Sequence, residues 1–302
     1  MKICFLYGGQ GSQQEKMGYD FYLKNEIVKS FYDGVKIEKS IMDYFNMNED
    51  NLKKTDNAQM ALILYEIALT KLLKERIKPS ATAGLSIGEY AALYCAGILS
   101  EKDTVDIAQF RGKEMLKAMD FESKMCAVMK TEEEELVKIC NKSSLNNEIV
   151  EISNINTKNQ IVISGHINAV NRALKELEKE NKKTVELNVK GAFHTKYMNS
   201  VEESLRNYFK ELDFKNSEID LYYNLTGNIE TDNIKEIMAK QVSQCVRFKD
   251  IINNLLNDGY DTFIEIGYSK VLNGFIKKIN RNVKVYSISD YESYEQFIKE
   301  FK

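Results

Sequence analysis

Residues 80–97 read SATAGLSIGEYAALYCAG, and this stretch decides the fold. Small residues typical of a buried strand come first, then a serine between glycines (GLSIG, 84–88), then an apolar run typical of a helix. A serine at such a strand-to-helix turn is forced into a strained backbone conformation that raises its hydroxyl above the sheet. The stretch therefore predicts an α/β fold and a nucleophilic Ser86, although the same five residues also occur in ordinary turns.

The rest of the chain mostly alternates between strand and helix patterns, which favours a largely parallel sheet with helices on both faces. Between residues 124 and 190 the predicted order is instead β-α-β-β-α-β, the ferredoxin-like arrangement. We therefore expect an α/β-hydrolase-like catalytic domain built from residues 1–123 and 191–302, interrupted by a ferredoxin-like subdomain at 124–190. Thr131 and Glu134 predict a capping box at the start of the first helix of that subdomain.

A serine is a weak nucleophile unless a base lies beside it, and the chain has only two histidines. His194 stands where the chain re-enters the larger domain, to which Ser86 belongs, so we expect His194 to be the base. His166 stands at a strand-to-helix turn of the inserted unit. We interpret it as a helix-start or surface histidine.

Composition argues against several classes of protein. The net charge of −3 shows no basic excess of the kind that nucleic-acid binders carry. No apolar run reaches the roughly 18 residues of a membrane span, and the N-terminal MKICFLYGG is typical of a buried strand, not of a secretory signal. We expect a cytoplasmic protein without nucleic-acid or membrane partners.

The scattered cysteines lack Cys-x-x-Cys spacing and predict buried free thiols, without a disulfide framework or zinc site: Cys4, Cys95, Cys126, Cys140 and Cys245.

Five motifs occur in register along the chain: YGGQGSQ (7–13), GLSIGEYAALYCAG (84–97), FRGKEM (110–115), GAFH (191–194) and IEIGYSKVLNGF (264–275). Together they resemble the malonyl-CoA:acyl-carrier-protein transacylases of fatty acid synthesis and the acyltransferase domains of polyketide synthases. The resemblance runs from residue 5 to about residue 288. It implies ping-pong transfer of a malonyl group through a serine ester, without a metal or redox cofactor.

The resemblance also implies catalytic roles for matched positions. Ser86 matches the acyl-accepting nucleophile and His194 its base. The backbone N–H groups of Gln10 and Ile87 match the oxyanion hole. Gln241 matches the residue whose backbone carbonyl orients the histidine, so that no acidic third member is needed.

Other matched positions imply substrate contacts. Arg111 matches the arginine that holds the malonyl carboxylate, and a planar guanidinium suits that group because it can donate two parallel hydrogen bonds. Phe193 resembles the bulky residue of malonyl-selective enzymes, which would crowd an α-methyl group. Gln59 and Asn156 match polar positions of the pocket. Three departures from the family stand near the site. Leu85 replaces the usual histidine, Gly9 replaces the usual proline, and GYSK (267–270) replaces a Gly-Pro-Gly-like turn, so we expect changed rates but the same reaction.

The resemblance implies malonyl-CoA and an acyl carrier protein as partners, and we expect a monomer. Because carrier proteins are acidic, a basic patch is expected beside the cleft, at Lys190, Lys196 and the KKINR run at 277–281. Two alternatives remain open at this stage. One is an acyltransferase or editing acyl hydrolase that serves a polyketide synthase, and the other is a non-catalytic subunit that binds carrier protein.

Overall fold

The computed structural model describes residues 1–189 and 191–301, which form two β-sheets with surrounding helices. The strands are β1 (Ile3–Tyr7), β2 (Ala81–Gly84), β3 (Ser123–Met129), β4 (Val150–Thr157), β5 (Gln160–His166), β6 (Thr184–Glu186), β7 (Asp220–Tyr222), β8 (Thr262–Ile266) and β9 (Lys284–Ile288). The α-helices are α1 (Tyr19–Lys24), α2 (Glu26–Gly34), α3 (Ile41–Phe45), α4 (Glu49–Leu52), α5 (Thr55–Lys74), α6 (Gly88–Cys95), α7 (Glu101–Lys117), α8 (Glu133–Ser143), α9 (Ile167–Lys179), α10 (Asn199–Lys210), α11 (Ile234–Lys240), α12 (Phe248–Asn257), α13 (Val271–Ile279) and α14 (Tyr291–Glu300). A 3₁₀ turn covers Lys196–Met198.

The large sheet has five parallel strands in the order β7-β2-β1-β8-β9. Strands β2 and β8 are buried along their whole length, because the parallel sheet is covered on both faces. In the register of β1 and β2, Tyr7 lies opposite Gly84. The loops that follow these two strands leave from the same edge of the sheet, and the Leu85 N–H donates to the Tyr7 carbonyl at 2.9 Å. The glycine loop after β1 and the serine bend after β2 are therefore neighbours.

Helix α5 lies almost wholly inside the core, because its own side chains are mostly apolar and buried around nearly its whole circumference. Helix α7 approaches it closely: a Cβ added at Gly112 would lie 2.8 Å from the Cα of Asp56. This close approach allows the preceding residue, Arg111, to be fully buried between the elements. Ser100 caps α7 by accepting the Asp103 N–H at 3.1 Å.

The small sheet is antiparallel, in the order β4-β5-β3-β6, and α8 and α9 cover one of its faces. Side chains of β3 alternate between the two faces. Val128 packs in the core beneath the two helices, whereas Met125 and Ala127 face the large domain and the cleft. The two parts of the chain are also joined through the backbone, since the Val246 N–H donates to the Ser153 carbonyl at 2.9 Å.

The predicted fold class is confirmed: a mostly parallel α/β sheet is accompanied by a small β-α-β-β-α-β unit, whose elements run from Ser123 to Glu186. The predicted domain boundaries stay a prediction. The predicted capping box is wrong, because α8 begins after Glu132 and the Thr131 hydroxyl lies one position too early. That hydroxyl donates instead to the Met129 carbonyl at the end of β3, at 3.4 Å.

The five cysteines, all within the described part of the chain, are free thiols, and four of them are buried. None of the helices in residues 1–189 and 191–301 combines the length and apolarity needed to cross a membrane.

Candidate active site

Ser86 stands at the bend between β2 and α6, with a φ of +55° that L-residues rarely adopt. The flanking glycines are required by close packing. A Cβ at Gly84 would overlap the backbone of Gly88, and a Cβ at Gly88 would overlap the carbonyl of Gly8. The glycines therefore let the strand, the helix and the first loop meet, and this packing places the serine above the edge of the sheet.

His194 lies beside the serine, with its Nε2 2.8 Å from Ser86 Oγ. Its Nδ1 lies 2.8 Å from the backbone carbonyl of Gln241. Because a carbonyl only accepts, Nδ1 carries the proton, and Nε2 is left to accept from the serine hydroxyl. Burial, and then the nearby Arg111 cation, lower the pKa of His194 to about 4. The imidazole is therefore neutral at pH 7 and can act as a base.

Two backbone N–H groups beside the serine are free to bind an oxyanion. Within residues 1–189 and 191–301, neither the Gln10 nor the Ile87 N–H has an intramolecular acceptor. Ile87 is fully buried and comes directly before α6, so its N–H lies at the positive end of the helix dipole. Gln10 lies in the glycine loop after β1 and lines the same cleft as Ser86.

Arg111 presents an incompletely paired guanidinium to the serine. Its Nη2 donates to Gln241 Oε1 at 3.1 Å and lies 3.3 Å from Ser86 Oγ. Among the described residues, its Nε and Nη1 have no acceptor, although the side chain is fully buried and its Cζ lies 5.6 Å from the centre of the Tyr90 ring. Burial lowers the pKa of Arg111, but an arginine stays charged at neutral pH. A buried guanidinium with two N–H-bearing nitrogens that lack acceptors is suited to bind a carboxylate ligand.

A cleft of about 990 Å³ opens onto Ser86 and His194. Phe193 and Asn156, the latter a residue of β4, line it. Neither Gln59 nor Arg111 is among the residues that line the cleft, although Arg111 Nη2 reaches Ser86 Oγ, and the role of Gln59 in binding stays a prediction. The Gln59 side chain is buried behind the cleft wall, where its Nε2 lies 3.2 Å from the sulfur of Met115, a residue of the lining.

The predicted lysine patch is mixed. Lys278 is exposed and lines the cleft, whereas Lys277 donates to two backbone carbonyls and so holds its own loop. Lys196 is exposed, with its Nζ 3.8 Å from a carboxylate oxygen of Glu151. Lys190 lies outside the described residues. Two lysines that were not predicted also line the cleft, Lys53 and Lys270.

Sequence reasoning missed two buried polar residues at the bend, Glu89 and Asn224. The Asn224 side chain accepts the Ser86 N–H at 2.7 Å and donates to the Gly84 carbonyl at 2.6 Å. Burial raises the pKa of Glu89 to about 8. A polar residue just after β7, the strand beside β2, and a glutamate in an otherwise apolar helix were the available signals. His166, by contrast, caps α9, as its interpretation requires.

A strained serine paired with a neutral histidine, on a parallel α/β sheet, defines an enzyme that transfers acyl groups through a serine ester. Comparisons with known proteins give the family. Residues 4–299 match the family model described as the acyl transferase domain. The chain belongs to this family.

Named relatives resemble the chain over its whole length. The malonyl CoA-acyl carrier protein transacylase of Bacillus subtilis is 37% identical, with 100% of this chain and 98% of that protein covered. The protein of the same name from Staphylococcus aureus is 34% identical over 96% of each chain. A crystal structure titled MCAT from Streptococcus pneumoniae has a TM-score of 0.93 and 33% identity, covering 99% of this chain and 100% of that one.

Proposed function

We propose that this chain moves a malonyl group from malonyl-CoA to the phosphopantetheine thiol of an acyl carrier protein, in fatty acid synthesis. The observation that carries the proposal is the position of Arg111. A fully buried guanidinium lies 3.3 Å from the Ser86 hydroxyl, with two nitrogens unpaired among the described residues. A short acyl group that ends in a carboxylate would both reach the serine and supply those acceptors.

The reaction proceeds in two halves. His194 Nε2 takes the Ser86 proton as the serine oxygen attacks the thioester carbonyl, and the N–H groups of Gln10 and Ile87 receive the oxyanion. The tetrahedral intermediate collapses with loss of the CoA thiolate, which takes the proton from His194, and a malonyl-serine ester remains. The carrier-protein thiol then gives its proton to His194 and attacks the ester, and the serine regains its proton when it leaves. Every step uses groups of the chain and the two thiols, so the proposal requires no metal or redox cofactor.

The acyl preference follows from the side chains around the serine. A charge-assisted contact to the malonyl carboxylate contributes about 1.5–3 kcal/mol, and acetyl-CoA cannot make it. Phe193 is buried immediately before the base and lines the cleft, where its ring would crowd an α-methyl group. We therefore expect malonyl-CoA to be preferred over both acetyl-CoA and methylmalonyl-CoA.

The proposal extends to the partner and the setting. The exposed Lys270 and Lys278 at the cleft offer positive charge to an acidic carrier protein, whereas Lys53 is paired with Glu49 at 2.6 Å. The enzyme is proposed to act as a monomer in the cytoplasm. Service to a polyketide synthase would use the same chemistry with a different carrier protein.

Intact-mass measurement after brief exposure to single acyl-CoAs tests the proposal. The wild-type protein should gain one malonyl group from malonyl-CoA and should lose it on addition of holo carrier protein. Ser86→Ala should gain none. A malonyl adduct that persists in Ser86→Ala would sink the assignment of the nucleophile. Rapid loss of the adduct to water without carrier protein would support an editing hydrolase instead, and absence of any adduct would support a non-catalytic subunit.

A further inference from the structure

The strained backbone of Ser86 is held from both sides by side chains that sequence reasoning did not place there. Its N–H donates to Asn224 Oδ1 at 2.7 Å, and its carbonyl accepts from Gln241 Nε2 at 2.6 Å. A left-handed conformation of a non-glycine residue persists only where the surroundings over-determine it. These two hydrogen bonds, together with the packing of the flanking glycines, supply that constraint.

The two residues that hold Ser86, Asn224 and Gln241, both donate to one buried carboxyl group, that of Glu89. Glu89 Oε1 accepts the backbone N–H of Asn224 at 2.8 Å, and Glu89 Oε2 accepts the second hydrogen of Gln241 Nε2 at 2.9 Å. Glu89 is fully buried in α6, three residues after the serine, and its backbone N–H also donates to the Ser86 carbonyl at 3.1 Å. Burying a polar carboxyl group is costly unless it is hydrogen-bonded, so the two bonds that its oxygens accept hold Asn224 and Gln241 in place.

Gln241 extends this network to the reacting groups. Its side-chain Oε1 accepts from Arg111, and its backbone carbonyl accepts from Nδ1 of His194. A shift of Gln241 would therefore move the base, the guanidinium and the serine carbonyl together. The resemblance to the acyltransferases concerns only the backbone carbonyl of Gln241 and gives no role to its side chain, to Asn224 or to Glu89.

We propose that Glu89 is a positioning residue for acyl transfer: through Asn224 and Gln241 it holds Ser86 in its left-handed conformation, within reach of His194. This inference rests on Ser86 as the nucleophile of the proposed function. Glu89 does not contact the substrate in the proposed reaction. Replacing Glu89 should therefore change the reactivity of the serine and not the binding of malonyl-CoA.

The experiment uses Glu89→Gln, Asn224→Ala and the double variant. Glutamine keeps the shape of Glu89 but turns an NH₂ group toward one of the two donors. The matched control is Glu265→Gln, because Glu265 is also fully buried and accepts two N–H groups, from Leu272 and Asn273 at the start of α13. For each protein, we would measure the rate of Ser86 labelling by a fluorophosphonate, kcat and KM for malonyl-CoA, and Tm.

We expect Glu89→Gln to lower kcat and the labelling rate by about 10- to 100-fold, as small displacements of reacting groups do, with KM within about threefold. Glu265→Gln should lower Tm by about as much as Glu89→Gln does, but its rate of Ser86 labelling should stay at the wild-type value. The double variant should be no slower than the worse single variant by more than about threefold, because both changes break one network.

Several results would overturn the positioning role. They are a labelling rate in Glu89→Gln within threefold of wild type, an equal loss in Glu265→Gln, or single effects that multiply in the double variant. If Glu89→Gln does not fold, Asn224→Ala tests the branch of the network through Asn224, because it removes the bond to the Ser86 N–H from a loop position. A labelling rate in Asn224→Ala within threefold of wild type would then overturn the positioning role. Wild-type protein that takes up neither fluorophosphonate nor malonyl group would instead count against the proposed function.

Discussion

Replacing Arg111 with alanine removes a buried cation that serves the carboxylate-binding role and also touches the serine. Its Nη2 contacts Ser86 Oγ and Gln241 Oε1, while its Nε and Nη1 have no acceptor among the described residues. The substitution therefore has two effects. It deletes the contact to malonyl, and it disturbs the neighbouring groups for every acyl substrate.

The ratio of two substrates separates these effects. General damage lowers kcat/KM for malonyl-CoA and acetyl-CoA alike and cancels in their ratio, whereas the carboxylate contact exists only for malonyl. A charge-assisted hydrogen-bonded contact is worth about 1.5–3 kcal/mol. At about 1.4 kcal/mol per tenfold, the preference for malonyl-CoA over acetyl-CoA should fall by about 10- to 150-fold in Arg111→Ala.

The assay measures kcat/KM with each acyl-CoA, using one carrier protein, for the wild type, Arg111→Ala and Arg111→Lys. Lysine retains the charge but not the two-pronged geometry, so Arg111→Lys should recover only part of the preference. Labelling of Ser86 by a fluorophosphonate, which carries no carboxylate, reports the general damage. A malonyl-to-acetyl preference unchanged in Arg111→Ala would refute the reasoning, whatever the absolute rates.

Three further predictions concern the base, the acyl pocket and the carrier protein. Because the pKa of His194 is lowered to about 4, the rate of Ser86 labelling should be nearly constant from pH 8 to 5 and should fall near pH 4, where the imidazole gains a proton. Arg111→Ala removes a nearby cation and should move this fall in rate to higher pH. A fall near pH 6.5 in the wild type would contradict the prediction. Phe193→Ala should raise turnover of methylmalonyl-CoA relative to malonyl-CoA, and equal turnover by the wild type would refute steric exclusion. Lys278→Glu should raise KM for the carrier protein with little change in malonylation of Ser86, whereas the exposed Lys299→Glu, which does not line the cleft, serves as the control.

Local pattern was enough for part of the site. The GLSIG stretch predicted a strand-to-helix bend, and with only two histidines the choice of base was narrow. The structure brings His194 within 2.8 Å of Ser86 across 108 positions of chain. Gln59 shows the limit of such reasoning, because a polar residue on a helix that is buried all round can face the cleft or the layer behind it, and its direction depends on packing.

The sequence by itself determined the alternation of strands and helices, the bend at the serine and the types of residue available for chemistry, because these follow from neighbours in the chain. Only the tertiary structure decided that Arg111 would be buried with donors to spare, and that Glu89 would join Asn224 and Gln241, which lie 135 and 152 positions away. These contacts join side chains from α6, α7, the end of α11 and the segment after β7, and their hydrogen bonds are directional. The spacing of these residues along the sequence does not predict the distances and angles of their hydrogen bonds.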